Sequence, residues 1–298
     1  MTSAEDYRFL ADMLARHSGI FLGDGKEYLL ESRLMPIAEQ FDLPDLPALV
    51  QRLRQGAGAV LVQATVEAMT TQETLFFRDA TPFKALREMI LPALVPSRRT
   101  QGRRLRIWSA ACSTGQEPYS VAMLLATLAP PLGPAEAEIV ATDYSPKALA
   151  RAREGLYSQF EVQRGLPAHL LVRFFTQTPG GFRIAEPLRR WVSYQEHNLL
   201  QSASALGQFD VILCRNVLIY FDRPVKRSVF ECLTQALAPD GYLLLGAAET
   251  PYGVTESLVR APDPCACPGV YVRNGGRARP AVATVAAMAS PQRVAASR

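Results

Sequence analysis

Histidine is scarce in this chain of 298 residues: His17, His169 and His197 lie far apart and at no metal-ligand spacing. That pattern argues against a histidine-held metal centre. Cysteine is nearly as rare. Cys112, Cys214, Cys232, Cys265 and Cys267 are an odd, scattered set, so free thiols are expected rather than a disulfide framework, and the Cys265-Ala-Cys267 pair has no second pair to complete a zinc site. No uninterrupted apolar run reaches about 18 residues, the length that spans a membrane. The opening MTSAEDYRFL is acidic and polar, where a signal peptide is basic and then apolar. A cytoplasmic protein without membrane insertion is the expectation. Acidic residues are missing from the segment after Asn274, and its Arg277, Arg279, Arg293 and Arg298 account for the whole net charge of +4. The remaining body is formally neutral, so no basic groove for nucleic acid is indicated. What the chain has in quantity is apolar residues, 48% of the total, enough to bury a core in one large domain or two ordinary ones.

The stretch LRIWSAACSTGQEPYSVAMLL, Leu105 to Leu125, organises the rest. Leu105, Ile107 and Trp108 predict a short buried strand, Glu117 to Leu128 predicts a helix, and Ala110 to Gly115 forms a small-residue turn between them. Such a turn lets backbone N–H groups and a helix N-terminus approach a ligand at the carboxyl edge of a parallel sheet, as in nucleotide pockets. With one glycine instead of the three of a dinucleotide fingerprint, an ordinary strand-to-helix turn stays open as an alternative.

Residues 3 to 71 read as helical. Ser3 caps a first helix carrying Phe9, Leu10, Met13 and Leu14 and ended by Gly19; Asp24 caps a second with Leu29, Leu30 and Leu34. Pro36 predicts that this second helix stops or kinks near Met35. Helices about Pro47 to Gln55 and Ala59 to Thr70 complete a small bundle. TTQETLFFRD is too aromatic for a free tether and leads into a helix, after which SRRTQGRRLR reads as a solvated connector. From Leu105 onward strand and helix alternate: a strand at Ile139 to Thr142, Ser145-Pro146 opening a helix to Arg153, the apolar strand FDVILC, and Asp222-Arg-Pro224 opening a helix striped by Val225, Val229, Leu233 and Leu237. GYLLLGA and GVYVR are further strands, which together predict a doubly wound α/β domain. A Pro-Gly-Gly turn in TQTPGGFRIAEPLRRWVSYQ points to a small antiparallel insertion near Phe182 to Tyr194. The expected domains are a helical unit at 1–71, a linker motif and helix at 72–104, a catalytic domain at 105–274 with a β-subdomain at about 176–195, and a disordered tail at 275–298.

Two strand ends carry candidate chemistry. Asp143 ends the second strand, where a carboxylate can accept hydrogen bonds from both hydroxyls of a ribose. Cys214-Arg215-Asn216 ends another buried strand, and an arginine directly after six largely apolar residues is hard to explain by packing. Each keeps a plainer alternative, a helix-capping carboxylate and a solvated strand end.

Together ETLFFRD, WSAACSTGQEPYS, ATDYSPKAL, HNLL and FDVILCRNVLIYF closely resemble the CheR family of chemotaxis methyltransferases, which esterify glutamates of receptor signalling helices using S-adenosylmethionine. The resemblance runs in order from about Ser3 to Arg273. It implies a Rossmann-like S-adenosylmethionine-dependent methyltransferase domain of α/β class, with an inserted antiparallel β-subdomain and a preceding all-α domain. It also implies cofactor contacts from Gln72, Thr74, Arg78, Glu117, Asp143, Asn198, Leu199, Arg215 and Asn216. Tyr220 matches a tyrosine beside the reacting methyl, Arg33 matches an arginine that the helical domain points into the active site, and Arg215 joins them as a catalytic candidate. The implied partner is a chemoreceptor's cytoplasmic signalling helices or a related signalling protein, and no metal is implied. The chain departs from the family pattern at Gln72, often asparagine, and at Gln116, often glutamate. Its second helix offsets Lys26 and Arg33 with Glu27, Glu31 and Glu39, and the turn at Pro179 to Gly181 is short for holding a receptor peptide. Another protein or small-acid acceptor, and a cofactor-binding module that signals without catalysis, remain alternatives. No histidine is assigned to the pocket, since a glutamate with a pKa near 4.3 needs no base at neutral pH.

Overall fold

The computed structural model describes residues 3–23, 25–56, 58–262 and 267–276. Asp24, Cys265 and the arginine-bearing tail lie outside the described residues. Helix α1 (Ala4–Ser18) is capped by Ser3, whose Oγ accepts the Asp6 N–H at 3.1 Å, and it ends at Gly19 with a left-handed φ of 75°. Next come α2 (Glu27–Gln40), α3 (Leu46–Arg54, capped by Asp45) and α4 (Ala59–Met69). The residue preceding α2 is Lys26, which makes no side-chain cap. Leu10, Leu14, Leu30, Leu34, Leu49 and Val66 build a core belonging to this bundle.

The expected break at Pro36 does not occur, because α2 runs through it to Gln40. Leu30, Leu34 and Ala38 form one stripe across the proline, and all three are fully buried. An interior proline costs about 3 kcal/mol, while burying a leucine gains roughly 1.5–3 kcal/mol. Packing on both sides of Pro36 therefore outweighs the lost hydrogen bond.

The chain crosses to the sheet through an extended segment, α5 (Ala80–Ala85), a π-helical turn at Leu86–Ile90, and α6 (Leu91–Thr100). Phe76 in the extended part is fully buried, its ring 5.0 Å from Tyr157 and 5.6 Å from Phe175. The arginine-rich connector is not the solvated linker expected. Arg98 is 2% exposed, and it donates to Asp210 at 2.8 Å and bidentately to Asp240 at 2.7 and 2.6 Å. Asp210 is the second residue of FDVILC at 1% exposure, where a carboxylate must be paired. Arg103 and the Arg106 N–H also donate to it.

The remaining elements are β1 (Leu105–Ala110), α7 (Gln116–Ala126), β2 (Ala137–Asp143), α8 (Pro146–Glu154), β3 (Leu156–Tyr157), α9 (Gln159–Gln163), α10 (Ala168–Phe174) and β4 (Phe175–Thr178). Then follow β5 (Gly181–Ile184), α11 (Glu186–Trp191), β6 (Val192–Glu196), β7 (Phe209–Cys214), α12 (Arg223–Ala236), β8 (Leu237–Leu245), β9 (Leu258–Arg260) and β10 (Val270–Arg273). A seven-stranded sheet has the order β6-β2-β1-β7-β8-β10-β9, parallel from β6 to β8, with β10 antiparallel to β8 and β9 antiparallel to β10. Ile107, Ile139, Val211 and Leu213 enter one core and Trp108, Val140, Ile212 and Cys214 the core on the other face. Burial on both faces is why these runs lack polar alternation. The strand order reverses at β1, so the carboxyl ends of β1, β2 and β7 border a crevice.

Two local expectations are corrected. Leu237 begins β8 instead of ending the stripe on α12. The inserted sheet has the order β3-β5-β4, with its hairpin at Pro179-Gly180, so it gains β3 from upstream. It also loses the run through Tyr194, which is β6 and pairs in parallel with β2 at the edge of the main sheet. Trp191 anchors that return, donating its indole N–H to the Ala137 carbonyl at 2.8 Å.

Candidate active site

The turn between β1 and α7 holds three residues in the left-handed region, Ala111 (φ 58°), Ser113 (φ 51°) and Gly115 (φ 96°). Ala111 and Ser113 tolerate this at some energetic cost, and such outliers concentrate at ligand sites. Gly115 has no alternative. A Cβ there would lie 2.9 Å from the Ala152 Cβ and 3.0 and 3.1 Å from the phenols of Tyr194 and Tyr157. The turn is thereby seated on buried Tyr157 and half-buried Tyr194, and α7 begins directly at the crevice.

Asp143 closes the neighbouring strand end at 5% exposure. Its Oδ2 accepts the Ser113 N–H at 2.8 Å and its Oδ1 the Ser145 N–H at 2.9 Å, which ties the two turns together. Burial pushes its pKa above the usual carboxylate value, and the backbone hydrogen bonds pull against that rise. The helical domain grips the same turn. Glu67 of α4 accepts from the Ser145 hydroxyl and from the Lys147 N–H at 3.2 Å, and the Gln63 amide donates to the Tyr144 carbonyl at 3.3 Å.

Arg215, after β7, is the central knot. Its guanidinium donates to Glu117 at 2.9 Å, to Asp79 at 3.0 Å and to the Arg78 carbonyl at 2.6 Å, and lies over the Phe83 ring at 5.6 Å. Glu117 also accepts from the Ser109 hydroxyl at 2.8 Å. One arginine thus joins the linker, the start of α7 and the end of β7.

These pieces border one solvent-open cleft of about 990 Å³. Gln72, Thr74 and Arg78 line it from the linker, Glu117 from the start of α7, Asp143 from the end of β2, Asn198 and Leu199 from the loop after β6, and Arg215, Asn216 and Tyr220 from the loop after β7. Arg33 is not among the lining residues, contrary to the expectation. Its Nη1 donates to the carbonyls of Met69 at 2.9 Å and Thr70 at 3.4 Å. The last carbonyls of a helix lack intrahelical partners and attract a cation, so Arg33 braces the wall from behind. Asn198 is also engaged within the chain, because its amide donates to the His17 carbonyl at 2.6 Å and accepts the Leu200 N–H at 3.0 Å.

Several lining residues were not legible as such. Ser18 and Ile20 of the helical domain border the cleft. Ile20 forms an antiparallel bridge with Phe221, and the Phe21 N–H donates to the Tyr220 carbonyl at 2.8 Å. His197, carried by HNLL, also lines the cleft, which corrects the expectation of a pocket without histidine. Its backbone N–H donates to the Asp143 carbonyl at 3.1 Å, its ring meets Trp108 at 5.8 Å, and burial lowers its pKa below 6.5. On this wall the buried atoms Gln72 Oε1, His197 Nε2 and Arg215 Nε have no partner among the described residues. An unpaired buried polar atom calls for an explanation, and a polar ligand in the cleft supplies one.

Two family models match the chain: the all-alpha domain of CheR methyltransferases over residues 5–70, and their SAM binding domain over residues 72–261. The chain is 43% identical over 248 residues to chemotaxis protein methyltransferase 1 of Pseudomonas aeruginosa, covering 82% of this chain and 89% of the relative. Identity to chemotaxis protein methyltransferase Cher2 of Pseudomonas putida is 40% over 255 residues, with 84% and 92% covered. For chemotaxis protein methyltransferase 1 of Vibrio cholerae it is 41% over 260 residues, with 86% and 93% covered.

Proposed function

Because the chain belongs to the CheR methyltransferase family, whose cofactor is S-adenosylmethionine, we propose that it methylates glutamate side chains on the cytoplasmic signalling helices of a chemoreceptor. The products are glutamate methyl esters. The observation that carries this reading is the composition of the cleft. Its floor is the turn-and-carboxylate edge of a doubly wound sheet, and its outer wall includes Ser18 and Ile20 of a helical domain next to Tyr220. The unpaired atoms of Gln72, His197 and Arg215 fit a polar, multiply hydrogen-bonding cofactor.

In the cofactor the methyl is carried on a sulfonium and is electrophilic. Asp143 has acceptor capacity left on both oxygens after its two backbone bonds, and it would hold the ribose hydroxyls. Glu117 and Arg78 are a carboxylate and a guanidinium on the wall, the pair that an amino-acid end requires. The acceptor glutamate, with an ordinary pKa near 4.3, is already ionised at neutral pH. No general base is needed, and His197, kept neutral by burial, supplies a hydrogen-bonding ring without a charge. Tyr220 orients the incoming carboxylate. Arg33 acts through the Met69 and Thr70 carbonyls. Placement of two reactants in line is worth about 7–11 kcal/mol, and that is the contribution assigned to this protein.

The exposed face of α2 carries Glu27, Glu31 and Glu39, which repels an acidic helix and favours a second reading in which the acceptor is another protein or a small acid. Incubation with methyl-labelled cofactor and a lysate of the protein's own cell separates the readings. A base-labile label on a receptor supports the proposal, and a small-molecule ester supports the second reading. Binding of cofactor without any transfer contradicts both.

A further inference from the structure

Glu249 lies outside the cleft lining, yet it is the most heavily bonded carboxylate next to it. It sits in the turn after β8, is 6% exposed, and makes no ion pair among the described residues. Four backbone N–H groups converge on it. Oε2 accepts from Asn216 and Gly246, each at 2.8 Å, and Oε1 accepts from Val217 at 2.9 Å and Leu218 at 2.7 Å. Three successive N–H groups can face one anion only when the backbone bends, and Asn216 supplies the bend with a left-handed φ of 59°. Gly246 leaves room for the approach: a Cβ there would lie 2.7 Å from Oε2 and 2.9 Å from the Asn216 side-chain nitrogen. The segment so clamped begins one residue after Arg215 and runs into the short helix Leu218–Tyr220.

We propose that Glu249 is a positioning residue for methyl transfer. Its carboxylate fixes the bend at Asn216 and so sets where Asn216 and Tyr220 stand in the cleft. The assignment rests on the reading that Tyr220 orients the acceptor beside the reacting methyl. A carboxylate is needed, and its shape is not enough. Glutamine fills the same volume, but its amide turns an NH₂ group toward two of the four N–H donors. Aspartate is one methylene shorter but keeps four acceptor sites.

The test compares Glu249→Gln and Glu249→Asp with the wild type, on whichever acceptor takes the label from the wild-type enzyme. Misplacement of a reacting group by about 1 Å lowers rates by up to roughly a hundredfold. The expected result is kcat lowered about tenfold to a hundredfold in Glu249→Gln, less in Glu249→Asp, with the acceptor KM changed less than about threefold. If Glu249→Gln does not fold, Gly246→Ala displaces the same carboxylate without removing it, and the same loss in kcat is expected. A kcat per folded molecule within about twofold of wild type in Glu249→Gln, or in Gly246→Ala where that variant is used, overturns the proposal. The wild-type product itself reports separately on the acceptor, so failure of the functional reading is distinguishable from failure of this one.

Discussion

Replacing Asp143 with asparagine tests the cofactor edge of the site at its most exactingly bonded residue. The carboxylate holds the Ser113 and Ser145 amides at 2.8 and 2.9 Å and faces the cleft at 5% exposure. Asparagine keeps one acceptor oxygen, so one backbone amide or one ribose hydroxyl meets an NH₂ group. A hydrogen bond to a charged group is worth about 1.5–3 kcal/mol, which corresponds to a cofactor Kd raised roughly 10- to 150-fold. The effect on folding is smaller because two changes oppose each other. The variant loses a bond to the backbone but also removes a charge that burial already disfavours, as the raised pKa of Asp143 shows. Stability is expected to move by no more than about 1–2 kcal/mol. Calorimetric titration with S-adenosylhomocysteine, alongside a thermal melt, reads both quantities. An unchanged Kd in a folded variant would remove Asp143 from the cofactor site.

Tyr220→Phe should lower turnover by about one to two decades, the weight of one or two lost hydrogen bonds, with cofactor affinity unchanged; equal turnover in steady-state assays would exclude the assigned orienting role. Arg98→Leu takes one of two cations from buried Asp210, which Arg103 still contacts, and denaturant unfolding should show a loss of about 1.5–3 kcal/mol, the weight of hydrogen bonds to charged groups; a loss under about 1 kcal/mol would contradict the pairing argument. The hydrogen bonds from Arg98 hold the Asp240 carboxyl below its usual 3.8. The unfolded chain therefore takes up that proton first, and the stabilisation, full above about pH 3.8, fades as pH falls through the lower folded value; acid titration of Arg98→Leu should lose this component. Asn198→Ala removes the tie to the His17 carbonyl and should destabilise the chain by about 1–2 kcal/mol. Full stability in a thermal melt would show that the tie holds nothing.

Local signals carried most of the fold. Ser3, Ser145 and Asp222 each cap the helix that follows, and the strands that lie under helices on both faces are the runs without polar alternation. What was illegible depended on partners distant in sequence. Pro36 is tolerated because of what α2 buries, and no property of the helix alone reveals that. Asp210 was passed over inside the apolar run FDVILC, and only the fold brings Arg98 and Arg103 to it. In the site, the strand-end residues were legible because strand ends at a switch point face one crevice. Arg33 was legible as a residue but not in placement, since the backbone carbonyls of Met69 and Thr70 take its donor. Glu249 was invisible because its partners are four amides, which every sequence contains.

The central claim is that the nucleophile is a carboxylate, ionised before it arrives. The direct measurement is the single-turnover rate of methyl transfer against pH, at saturating cofactor and acceptor. Burial lowers the pKa of His197, which moves its titration toward acid and away from this pH range. The rate should be nearly flat from about pH 6.5 to 8.5 and fall only toward the acceptor's own pKa. A rate climbing about tenfold per pH unit through that range would mean that a proton must leave the nucleophile first, and a glutamate acceptor would be contradicted.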